Sequence, residues 1–247
     1  MIKFFRKIRY DLMEKNKTGK YFKYALGEIV LVVFGILIAL SINNWNENRK
    51  LDEKREIYYR QLIIDLKNDQ VYAKSLISTF EDYLKSYKDY TETFKAPSLN
   101  ATKTLQNLRN VKYTVLLMDF ETNTINTLIN SGDISLLPQK INNSLTAYLG
   151  RQNKMIESNN GNVKELIGLL RNASTLGGNI SLRKRLEIQP KLNDELNITD
   201  NQAQLILVLE AFHLWNKDTS TTAIKGLNDL IRDADATINS IEKELNK

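Results

Sequence analysis

The run IVLVVFGILIAL, residues 29–40, has no polar side chain across twelve consecutive positions. Twelve helical residues rise only about 18 Å, short of a hydrocarbon core of roughly 30 Å. Extended outward to residues 24–43 the segment has twenty residues, enough to reach that thickness, with Glu28 as its one charge. Tyr21, Phe22 and Tyr24 stand on one side of the apolar run and Trp45 on the other, where aromatic rings meet the headgroup layer. Residues 1–23 hold eight Lys and Arg against two acids. Beyond the run, Arg49, Lys50, Lys54 and Arg55 are matched by Glu47, Asp52, Glu53 and Glu56. The positive-inside rule therefore predicts one transmembrane helix, with a cytoplasmic N-terminus and residues from about 44 onward across the membrane.

The charge supports this division. The formal net charge of +6 belongs entirely to residues 1–23, and the remainder is neutral. A nucleic-acid binder displays its basic stripe on the folded body, so no nucleic-acid partner is expected. With no Cys and one His, disulfides, thiolate zinc, iron–sulfur and His-cluster metal sites are excluded, and no cofactor is expected. A cleaved signal peptide competes with the anchor, because Ala39-Leu40-Ser41 has small residues at cleavage spacing. Against cleavage stand a leader of more than 20 residues and an acid at the start of the apolar run. Within that leader, residues 1–19, Met1, Phe4, Phe5, Ile8 and Leu12 share one helical face, and Lys3, Arg6, Lys7 and Arg9 fill much of the remainder. Such a helix suits the surface of an anionic cytoplasmic leaflet; the alternative is that these charges only set topology.

Two segments carry a resemblance. GEIVLVVFGILIALSINNWNE, residues 27–47, resembles the N-terminal signature of an uncharacterised family of single-pass membrane proteins abundant in Bacteroidota, especially flavobacteria. The basic, aromatic leader MIKFFRKIRY and the turn Ser131-Gly132-Asp133-Ile134-Ser135-Leu136-Leu137 are similar to that family's as well. The resemblance implies a bacterial inner-membrane anchor and a periplasmic helical domain, and it transfers no catalytic residue.

From residue 45 onward the pattern predicts an all-α bundle, residues 45–247, periplasmic as the resemblance implies, following a transmembrane helix at residues 20–44. Residues 36–96 contain neither Gly nor Pro, and Ala73, Leu76, Phe80, Tyr83, Tyr87 and Tyr90 step by three and four as in a coiled-coil seam. One long helix over residues 20–92 is predicted, broken by residues 95–102. Shorter helices follow. One, at 119–130, is closed by Ser131-Gly132; the next begins at Pro138 and stops at Asn159-Asn160-Gly161, with another beyond it through Leu170. Gly177-Gly178 opens a loop to about residue 199, and Asp200 caps a helix ending near Asn216. Ile224, Leu227, Ile231, Ala234, Ile238, Ile241 and Leu245 define a last helix expected to pair antiparallel with the long first one.

The candidate sites are few. Gly35 and Ala39 each lie within about 20° of Glu28 around a helix, with Asn43 at the margin, and the face could serve association in the membrane. Tyr21, Tyr24 and Trp45 are the expected interfacial anchors, and Lys3, Arg6, Lys7 and Arg9 the expected lipid-surface contacts. His213 is expected to be a core or surface residue rather than a ligand or base, Tyr83, Tyr87 and Tyr90 a bundle seam, and Arg183-Lys184-Arg185 a solvated run. No phosphate loop, nucleophile elbow or HExxH is present, so an enzyme is not expected. The expected role is structural or adaptor-like, with the bilayer and a protein partner or homo-oligomer as partners. The alternative is a periplasmic small-molecule sensor that signals through a partner.

Overall fold

The computed structural model describes Tyr10 and residues 18–121, 123–178 and 180–246. Among them the chain is helical throughout and forms no strand, the expected all-α class. The helices are α1 (Thr18–Glu92), α2 (Ala101–Asn110), α3 (Asn123–Ser131), α4 (Gln139–Ala173), α5 (Ile180–Glu187), α6 (Pro190–Leu196) and α7 (Gln202–Leu245). The Gly- and Pro-free residues 36–92 make up most of the 75-residue α1, which has nearly the predicted bounds. The chain divides into two compact units, one up to Ile57 and one from Tyr58 onward.

In the first unit, the large side chains from Ile29 to Leu40 are 46–68% exposed, so no other part of the unit covers them. This is the one helix among the described residues long and apolar enough to cross a membrane.

The second unit is built on α1, α4 and α7. Arg151 meets Asp233 while Met155 meets Gly226, so α4 and α7 run antiparallel. Gln70 bonds to Asp235 while Tyr83 bonds to His213, so α1 and α7 are antiparallel too, as the spacing predicts. Leu62, Leu66, Ala73, Leu76 and Phe80 of α1 share a core with Ile141, Leu145 and Tyr148 of α4 and Leu227, Leu230, Ala234 and Ile241 of α7. Further along, Tyr83 and Tyr90 join Leu105 and Leu108 of α2 and Leu205 and Leu209 of α7 in a second cluster.

Five expectations on the middle of the chain are corrected. Residues 112–121 form no regular element, and α3 begins at Asn123 rather than Asp119. The carboxylate of Asp65, on α1, accepts from the Thr124 amide and satisfies a donor at the start of α3. α4 runs unbroken through Asn159-Asn160-Gly161, because the two Asn side chains are bound elsewhere rather than turning back on their own backbone. α7 continues through residues 217–223, where the hydroxyls of Thr221 and Thr222 donate to the carbonyls one turn back and so stay compatible with helix. The presumed loop at 177–199 contains α5 and α6, and Asp200 accepts from Asn197 in the turn Ile198–Asn201 instead of capping α7.

Glycine chemistry sets two of the boundaries. Gly132 closes α3 at φ 77°, in the left-handed region that favours glycine. Gly177, at φ 83°, turns the chain after α4 against Ile198.

Candidate functional site

The expected association face lies open in the first unit. Gly35, Ala39 and Asn43 are exposed and Glu28 half-buried, and a Cβ added at Gly35 would meet nothing within 4 Å. Trp45 is exposed, with the Arg49 guanidinium carbon 5.7 Å from its ring centre, a cation–π arrangement at the end of the apolar run. Tyr21 and Tyr24 belong to α1 by their backbone, and their side chains lie outside the described residues, as do Lys3, Arg6, Lys7 and Arg9.

In the second unit the tyrosine seam and His213 form one packed cluster. Tyr83 and His213 are fully buried, and their rings stack with centroids 6.1 Å apart. Tyr87 stacks on the other partners, 5.9 Å from His213 and 6.3 Å from Tyr83. The Tyr83 hydroxyl donates to the His213 carbonyl at 2.8 Å and lies 3.4 Å from His213 Nδ1. With its proton committed to the carbonyl, the hydroxyl can only accept from Nδ1–H, which fixes the tautomer and leaves Nε2 a bare acceptor. Nε2 is indeed buried without a partner, and burial pushes the imidazole down to about 4. Tyr90 bonds to Glu210, and desolvation raises the phenol well above its usual range. These side chains form a packed bundle seam, their ring faces set against one another.

A second buried polar group was not legible in the sequence. Asp69 of α1 is buried, and one of its oxygens accepts from Tyr148 at 2.8 Å and from Gln152 at 3.0 Å, both on α4. Desolvation outweighs these bonds and pushes its carboxyl up to about 6, with Asp65 and Glu121 adding to the rise. The only sequence signal was Asp69 following Leu62 and Leu66 at helical spacing, which places an acid on an apolar face.

The irregular segment 112–121 belongs to no helix and, among the described residues, has no strand beside it, so side chains take its backbone hydrogen bonds. Ser86 accepts from the Lys112 amide, and Asn216 and Asn159 donate to the Thr114 and Leu116 carbonyls. Asn160 acts as a substitute strand edge, accepting from the Met118 amide at 3.0 Å and donating to its carbonyl at 3.3 Å.

A surface hollow of about 390 Å³ lies where α2, α5 and α6 meet the start of α7. Arg109 of α2 and Arg183 of α5 line it together with Leu186, Pro190 and Ile198. Arg183 is half-buried and donates from Nε to the Gly177 carbonyl at 2.7 Å, whereas Lys184 and Arg185 stay exposed. The basic run is therefore split, with one of its three members turned inward. Among the described residues no three His, Asp or Glu side chains converge to hold a metal ion.

Comparison with known proteins places these elements in a family. Residues 28–162 match a family of unknown function, DUF6090, and this span includes the apolar run, the tyrosine seam, Asp69, Gly132 and the Asn159–Asn160 pair. No curated protein and no solved structure matches the chain. Because the matched span covers more than half of its 247 residues, the chain belongs to the DUF6090 family.

Proposed function

We propose that this is a single-pass membrane protein whose helical domain serves, without enzymatic activity, as a docking element for a protein partner or for further copies of itself. The observation that carries the membrane part is the apolar run in α1, whose large side chains lie open with nothing of their own unit against them. In water, burying such side chains is worth about 1.5–3 kcal/mol each, so a hydrocarbon environment is the setting in which this surface is stable. The eight-to-two excess of basic residues in 1–23 supports a cytoplasmic N-terminus. The resemblance of residues 27–47 supports the inner membrane of a Bacteroidota cell, with the helical domain periplasmic. Assembly is supported by uncovered apolar side chains on α7, where Leu207, Leu214 and Trp215 are at least half exposed. Within the bilayer, Glu28, Gly35 and Ala39 offer a narrow polar and small-residue face for close helix approach.

Affinity purification of the tagged full-length protein from its own membranes, with complex mass and mass spectrometry, tests this. A stoichiometric partner or a defined homo-oligomer is the expected result, and a lone monomer of intact mass would defeat the docking role. Loss of the first 41 residues would defeat the anchor. A second reading, sensing of a small ligand on behalf of a partner, is favoured by the hollow at Arg109 and Arg183.

A further inference from the structure

The geometry points to the hollow between α2, α5, α6 and α7 as a binding site for a small organic oxyanion, a phosphate monoester or carboxylate, held by Arg109 and Arg183. The inference deepens the sensing reading and rests on it only for the consequence of binding, not for binding itself.

Two guanidiniums line one hollow, and neither is held in an ion pair among the described residues. Desolvation and the neighbouring charge of Arg109 lower the Arg183 guanidinium from its ordinary value, and no carboxylate offsets them. Glu187 also lines the hollow but pairs with neither arginine. Bringing two like charges together on a partly desolvated surface is unfavourable, and an anion between them reverses the sign. The Arg183 Nε is fixed on the Gly177 carbonyl at 2.7 Å, so the side chain is aimed before any ligand arrives. Its remaining donors form the planar fork that matches phosphate and carboxylate.

The rest of the lining sets the class more narrowly. Leu186, Pro190 and Ile198 supply an apolar wall, and Asn193 and Gln202 supply amide groups that can donate and accept. Gln202 is also the first residue of the 44-residue α7, whose leading amides carry partial positive charge. At about 390 Å³ the hollow is at the small end of ligand sites. The occupant that fits is compact, with an acidic head at the arginines and a short apolar body against the leucine, proline and isoleucine.

The test is calorimetric titration of the full-length protein in detergent with phenyl phosphate at constant ionic strength, with benzyl alcohol as the neutral counterpart. Phenyl phosphate should bind saturably and benzyl alcohol should not. Arg109→Gln and Arg183→Gln should each weaken binding by about tenfold or more, the value of one charge-assisted hydrogen bond pair. Wild-type affinity in both variants, or no saturable binding by the wild type, would overturn the site. Arg109 is exposed, so its variant decides the matter even where Arg183→Gln fails to fold. Partner recovery with and without phenyl phosphate reads the sensing role separately: binding with an unchanged complex removes sensing and leaves the site standing.

Discussion

Asp69 and His213 are buried ionisable groups whose titrations oppose one another. His213 sits at about 4 in the folded chain against an ordinary 6.5, so the unfolded chain binds the extra proton and stability drops as pH falls through that window. Asp69 sits at about 6 against an ordinary 3.8, so the folded chain binds the extra proton and stability rises as pH falls from about 6 toward 4. Across the shared window each contributes a slope of up to about 1.4 kcal/mol per pH unit, opposite in sign, and the wild-type profile should be nearly flat. Asp69→Asn should uncover the histidine, giving a protein that weakens in acid below about pH 6.5. His213→Asn should do the reverse. Urea unfolding at pH 4, 5, 6 and 7 checks both, and parallel profiles for all three proteins would refute the pairing. Asn160 gives a sharper test of a single contact. Asn160→Ala strips two partners from the buried Met118 backbone and should cost about 2–4 kcal/mol, whereas the same change at exposed Asn143 should be nearly neutral.

At the level of elements, what was legible in the sequence was whatever repeats with helical period. The α1 seam and the last-helix stripe each present a continuous apolar face, and they pair antiparallel as that face requires. Apparent interruptions continue as helix where polar residues have long-range work. Asn159 and Asn160 have the local character of a turn, yet their bonds go to residues 116 and 118, some forty positions away, which no local pattern displays. The hollow was hidden for the same reason, since Arg109 and Arg183 are brought together only by the fold. The two left-handed glycines separate strain from crowding. Gly132 has open space at its missing Cβ, so Gly132→Ala should cost about 1 kcal/mol from backbone strain alone. At Gly177 the added carbon would lie 2.3 Å from Ile198 Cγ2 as well, so Gly177→Ala must also displace the turn that carries α5 and α6. Limited proteolysis should show cleavage between residues 178 and 201 rising in Gly177→Ala and unchanged in Gly132→Ala; equal cleavage in both would show that crowding there is absorbed.

At the scale of the molecule, the family match and the folding unit do not coincide. The matched span ends at residue 162, inside α4, whereas the second unit extends from Tyr58 to Lys247. Its core cannot close within the matched span, because α7 supplies Leu227, Leu230, Ala234, Ile238 and Ile241 to the same cluster that buries Leu62, Leu66 and Tyr148. Each large apolar side chain left without its partner face forgoes about 1.5–3 kcal/mol, and the sum exceeds the net stability of an ordinary domain. A fragment of residues 58–162 should therefore be unfolded or aggregated. A fragment of residues 58–247, which keeps all three long helices and omits the apolar run, should be soluble and should lose its helical circular dichroism in one cooperative transition. Mixing the 58–162 fragment with a peptide of residues 200–247 should restore helicity at equal stoichiometry, because the missing face is supplied in trans. A cooperative melt of residues 58–162 alone would show that the match marks a complete domain and that α7 is an addition to it.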